Sequence, residues 1–150
     1  MKKLLLLSSF AIALLIVSCQ SKAGRVIGKW TVSECSITNL EELKKNSMNG
    51  VPDSLEAEYK TKMEGQITAF IEESKKETYS FEKDSFDIVR RGKSDVGSWK
   101  ISSDNKMLFL IPRENPAVEG LDIISFSAKE LKLSKKIAPE SSVIYTLIKN

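Results

Sequence analysis

The chain is 150 residues long and carries 23 Lys and Arg, 20 Asp and Glu, two Cys and no His. The missing histidine excludes Ser-His-Asp and Cys-His pairs of the usual kind, His-ligated zinc and an imidazole pH switch, and two cysteines build neither a Cys₄ metal site nor a disulfide framework. With 41% apolar and 29% charged residues the composition is that of one ordinary globular domain.

Residues 1–18 have the layout of a secretory leader. Met1-Lys2-Lys3 is a basic start, and Leu4 to Val17 is apolar apart from Ser8 and Ser9. Such a stretch spans only ~21 Å as a helix, short of the ~30 Å hydrocarbon core, so a permanent membrane span is disfavoured. Ile16-Val17-Ser18-Cys19 resembles the lipobox of bacterial lipoproteins, which implies cleavage after Ser18 and lipidation of Cys19. Residues 19–25 then read as a short linker and 26–150 as the folded domain.

Losing Lys2 and Lys3 with the leader lowers the formal charge from +3 to +1, which leaves no basic excess for nucleic acid. The densest basic spot, Arg90-Arg91-Gly92-Lys93, is expected to be a solvated hairpin loop. Cys35, the remaining thiol, lies on an apolar strand phase and reads as a small buried hydrophobe.

From Val26 onward the pattern is mostly period two. A phase change near Ser33-Glu34 predicts a bend or bulge in a long first strand. Further strands are expected over 77–83, 85–91, 97–102, 106–112, 121–127, 130–137 and 143–149, with turn residues such as Lys83-Asp84, Gly92-Lys93-Ser94-Asp95, Ser103-Asp104-Asn105 and Pro139-Glu140 between them. No gap after Glu77 holds a helix, which excludes parallel crossovers there. Between the first two strands, Asp53 and Glu56 have capping-box spacing, and Leu55, Tyr59, Met63, Ile67, Phe70 and Ile71 form one apolar helical stripe expected to pack on the sheet. A shorter helix is expected from Asn39 to before Gly50. The fold class expected is mainly β: an eight-stranded antiparallel up-and-down barrel with one helical insertion after the first strand.

Gly28-Lys29-Trp30, the helical insertion, Tyr79 to Phe86, Gly97-Ser98-Trp99-Lys100-Ile101 and Ile123 to Leu133, taken in that order, resemble the lipocalin-like domain of Bacteroidetes lipoproteins. The resemblance covers about Val26 to Lys149. It departs at Ser85, where such domains commonly have Gly, and in the longer insertion. It implies a lipid-anchored barrel of the cell envelope, on the outer membrane facing the periplasm, with Gly28 and Trp30 forming the barrel floor.

Eight strands enclose an interior that side chains can fill or that holds one small ligand. Tyr79, Phe81, Trp99 and Tyr145 are the candidate ligand-lining residues, with Phe109 and Phe126 as further aromatics whose position is open. Large residues at nearly every inward position favour a small or partly filled pocket. The expected function is a membrane-anchored module that binds a small apolar ligand, with a filled structural or protein-interaction domain of the envelope as the alternative. No catalytic residue, metal or cofactor is expected. Glu72-Glu73 and Asp84-Asp87 are acidic pairs of a kind able to do acid-base chemistry, but adjacent exposed carboxylates are usually a solvated face.

Overall fold

The computed structural model describes residues 22–115 and 117–150. The leader, Cys19 and Pro116 lie outside the described residues.

Eight strands close into one antiparallel barrel in sequence order: β1 Gly28–Ile37, β2 Thr78–Phe81, β3 Ser85–Arg90, β4 Lys93–Ile101, β5 Met107–Pro112, β6 Glu119–Phe126, β7 Glu130–Ala138 and β8 Ser141–Lys149. Closure comes from β1 pairing with both β2 and β8. Helix α1 Lys22–Val26 precedes β1, so the segment expected as a linker is helical from Lys22. Helices α2 Leu40–Ser47 and α3 Glu56–Ser74 form the insertion between β1 and β2, with a 3₁₀ turn at Asp53–Leu55.

Alternating connections give the barrel two distinct ends. The lower end holds α1, the start of β1, the β2–β3, β4–β5 and β6–β7 turns and the end of β8. The upper end holds the helices, the β3–β4 and β7–β8 turns and the β5–β6 loop.

The bulge in β1 lies where the phase changes: the register with β8 shifts between Val32 and Glu34. It turns Cys35 inward, so that Trp30, Val32 and Cys35 all face the core despite the break in alternation. Two more register shifts fall at Ile123/Ser125 and Lys136/Ala138.

Three expectations need correction. First, Lys93, Ser94 and Asp95 are strand, not loop. The β3–β4 turn is only Arg91-Gly92, with φ of 51° and 73°, and left-handed conformation at both central residues is the two-residue hairpin that matches strand twist. Second, no side chain caps α3, so the Asp53/Glu56 capping box is not formed. Third, the stripe of α3 packs on the barrel only near its C-terminal end. Phe70 and Ile71 touch the core cluster, whereas Leu55 and Tyr59 are 48% and 49% exposed. Between them, Met63 and Ile67 are half-buried along a groove that the helix forms with β1, β7 and β8.

The core fills the barrel from Trp30 at the lower end to Cys35 and Val143 toward the upper end. Trp30, Ile88, Leu108, Leu110, Leu121, Leu131, Leu133 and Leu147 are at most 1% exposed. In the unbroken run Met107 to Ile111, Leu108 and Leu110 take the inward phase, and Phe109 is left on the outer face beneath the Lys100 ammonium, 5.8 Å from its ring centre.

Candidate functional site

Trp30 seals the lower end. It is 0% exposed, its indole Nε1–H donates to the Val26 carbonyl at 2.8 Å, and the Lys149 ammonium stands 5.1 Å from its ring centre. That ammonium also donates to the Arg25 carbonyl at 3.0 Å, tying α1 to the last strand. Gly28 has φ of 136°, and a Cβ there would fall 2.5 Å from the Lys149 side chain. Glycine thus lets the chain enter the barrel under this clamp.

Three of the four aromatics read as ligand-lining, Tyr79, Phe81 and Trp99, are brought together against one another, and the fourth, Tyr145, is buried apart from these ring contacts. Phe81 lies 6.3 Å from Tyr79 in a stacked arrangement and 5.4 Å from Trp99 edge-on. The Trp99 Nε1–H donates to the Glu82 carbonyl at 2.8 Å, and the Tyr79 hydroxyl donates to Glu77 at 3.0 Å. Tyr145 is 7% exposed, between the inward Val143 and Leu147. Phe126 packs from the lower end, 6.5 Å from Trp30.

Above this packed interior lies an ionic network that sequence reasoning missed. Arg90, Glu119, Lys135 and Glu77 continue the inward phases of Phe86-Ile88, Leu121, Leu131-Leu133 and Tyr79-Phe81. Arg90 donates to both Glu119 oxygens, at 3.0 and 3.4 Å, and its Nε lies 3.5 Å from Glu77. Lys135 donates to Glu119 at 2.8 Å, and the Arg90 guanidinium sits 5.8 Å from the Tyr79 ring centre. The readable signal was a charge at the end of each apolar alternation.

The surroundings push the two carboxylates apart in acidity. Burial raises Glu77 above the ordinary value of 4.5, with the Tyr79 hydrogen bond and Arg90 pulling the other way. Burial would raise Glu119 too, but the Arg90 and Lys135 charges outweigh it and hold that group below 4.5. Burial likewise drives the Tyr79 and Tyr145 hydroxyls above their ordinary value, and Cys35 above its own, so all three stay protonated at neutral pH.

Two recesses open at the upper end. One is a cleft of about 650 Å³ between the β3–β4 hairpin, the β5–β6 loop and upper β7, lined by Arg90, Asp95, Glu114, Glu119, Lys135 and Lys136 among others. Glu119 faces it with both oxygens engaged by cations, and Glu77 is not among its lining residues. The other is an apolar groove of about 270 Å³ between α3 and the β1, β7 and β8 ends, lined by Ile37, Met63, Gln66, Ile67, Phe70, Ile137 and Val143. Glu72 and Glu73 are exposed or half-exposed on α3 and paired with Lys75 and Lys76. Among the described residues, no group of three or more His, Cys, Asp or Glu is placed to hold a metal ion.

The fold and its recesses define a closed, all-antiparallel eight-stranded barrel with a packed interior and an open polar mouth. No protein-family model matches the chain, and no curated protein matches it. Among solved structures the chain is similar to the crystal structure of a DUF4847 family protein from Bacteroides vulgatus, at 13% identity and a TM-score of 0.43, over 82% of this chain and 92% of that one.

Proposed function

We propose that this is a lipid-anchored envelope domain whose barrel is a filled scaffold, and that its upper end, with the apolar groove beside α3, presents itself to another envelope protein. The observation that carries this is the occupied interior. Tyr79, Phe81 and Trp99, which would line a carrier's cavity, pack on one another, and the polar tips of Tyr79 and Trp99 are satisfied by Glu77 and the Glu82 carbonyl. A carrier needs a cavity of roughly 300 Å³ or more lined mainly by apolar groups. The large recess at the mouth is lined instead mainly by polar and charged side chains, with Arg90, Glu119 and Lys135 ion-paired among them.

A lipid anchor on Cys19 follows from the lipobox-like Ile16-Val17-Ser18-Cys19, and outer-membrane attachment facing the periplasm from the lipoprotein resemblance. Several acyl chains, at about 0.8 kcal/mol per buried CH₂, hold a domain of this size stably.

The experiment is photo-cross-linking in cells from probes placed at Met63 and at Ile137, with a probe at Ser98 on the outer face of β4 as control. A discrete cross-linked protein from the groove positions alone supports the interaction reading. Cross-linking that is equal at Ser98, or absent at both groove positions, contradicts it. Membrane association that survives Cys19→Ala contradicts the anchor.

A further inference from the structure

The lower rim, where the described chain enters the barrel, is chemically two-sided. On the side formed by β6, β7, β8 and β1, three isoleucines stand out from the surface: Ile27 at 37% exposure, Ile124 at 51% and Ile148 at 45%. Arg25, Lys29, Lys129 and Lys132 lie among them, facing Glu130. Strand register joins Ile148 and Ile124 in one strip, with Ile27 at the same rim just ahead of β1. Ile148 is paired with Thr31 on one side and Glu130 on the other, and Lys132 is paired with Ser125, the neighbour of Ile124. The other side of the rim is different. Its β2–β3 and β4–β5 turns mix both signs in Glu82, Lys83, Asp84, Asp104 and Lys106, and no large apolar residue is exposed there.

Isolated exposed apolar residues need no explanation, but three set in one basic strip form an amphipathic surface. We infer that this strip seats on an anionic lipid headgroup surface, the isoleucines entering the interfacial layer while the cations meet lipid phosphates. The inference rests on the anchor reading for its encounter, since Cys19 precedes α1 by only three residues. Its own content is orientation. The lower rim meets the membrane on its β6–β1 side, and the upper groove and mouth cleft lie at the opposite end of the barrel.

The test uses the chain as processed in cells, bound to vesicles of phosphatidylcholine alone or of phosphatidylcholine and phosphatidylglycerol in equal parts. Lysine acylation is read by mass spectrometry. On anionic vesicles Lys29, Lys129 and Lys132 are expected to react several-fold more slowly than on neutral ones, while Lys60 and Lys136 at the upper end keep their rates. High salt removes the protection, and so does the double variant Lys29→Glu/Lys132→Glu, whose circular dichroism checks that it folds. Equal rates on the two vesicle types, or slowing at the upper lysines, overturns the inference. Flotation with neutral vesicles reads the anchor separately. A chain that floats without lysine protection keeps the anchor and loses the rim, whereas one that leaves neutral vesicles but is protected on anionic ones keeps the rim and loses the anchor.

Discussion

Arg90 and Glu119 meet side by side inside the barrel, Nη1 to Oε2 at 3.0 Å and Nη2 to Oε1 at 3.4 Å, although 29 residues separate them in the chain. The pair joins the top of β3 to the start of β6, two strands that are not neighbours in the sheet. It therefore braces the upper barrel across its interior. Such a brace is at risk when one partner is removed, because the other keeps its charge in a partly desolvated place. Arg90→Met is expected to cost about 2 kcal/mol, in the range for hydrogen bonds to charged groups. Urea unfolding checks this, and a change within the noise would mean that the network is a surface ion pair of little weight.

The same network sets a pH dependence of two opposed signs. Glu119 is held below 4.5 in the fold, so its contribution is fully present above its unfolded pKa and is lost as pH falls through its folded pKa. Glu77 is raised above 4.5, so its ionised form is penalised at neutral pH. As pH falls through that raised pKa the folded state takes up its proton first, and the penalty is relieved. Relative to the wild type, Glu77→Gln should lack a gain in stability on mild acidification, and Glu119→Gln should lack part of the loss that follows at lower pH. Unfolding midpoints of the three proteins across a pH series give both differences.

Trp30 fills the floor and holds α1. Trp30→Ala is expected to cost about 3 to 5 kcal/mol, as for other buried large aromatics. Trp30→Phe keeps the ring but removes the donor to the Val26 carbonyl and should cost less, with about 1 kcal/mol belonging to the hydrogen bond. Thermal unfolding followed by circular dichroism orders the two variants.

Gly97 marks a close approach of β4 to β5. A Cβ at that position would meet the Ile111 carbonyl oxygen and lie 2.8 Å from a ring carbon of Phe86. Gly97→Ala must therefore shift the backbone or displace the ring, and a loss of about 3 kcal/mol is expected, the upper range for overpacking. Gly65→Ala, on an open face of α3 with nothing within 4 Å, should instead stabilise by up to about 1 kcal/mol.

The barrel was legible because its determinants are local. The inward residues Tyr79, Phe81, Trp99 and Tyr145 are buried as expected, and the phase slip at Ser33-Glu34 located the bulge that re-aims Cys35. The β3–β4 turn was misjudged because Gly92-Lys93-Ser94-Asp95 has loop composition, while the left-handed pair Arg91-Gly92 already completes the hairpin. The stripe of α3 has core periodicity, but how much sheet lies under it depends on where the helix crosses the rim, which no local pattern encodes. The ionic network was missed for a related reason. Whether a charge at the end of an inward phase faces solvent or a partner is decided by strand stagger around the closed barrel, and Arg90, Glu119 and Lys135 find one another only through that stagger.

The central claim is that the barrel is filled and carries no small apolar ligand in its interior. It is tested most directly by titrating the purified domain with fatty acids and aromatic metabolites while following Trp fluorescence, with native mass spectrometry of the same preparation. Trp30 and Trp99 sit at the floor and in the aromatic cluster, so a molecule entering the interior would change the emission of at least one of them. A filled barrel predicts no saturable change across the panel and a mass equal to that of the processed chain. Saturable quenching at micromolar ligand, or a co-purifying small molecule released on unfolding, would contradict the scaffold reading and restore the carrier.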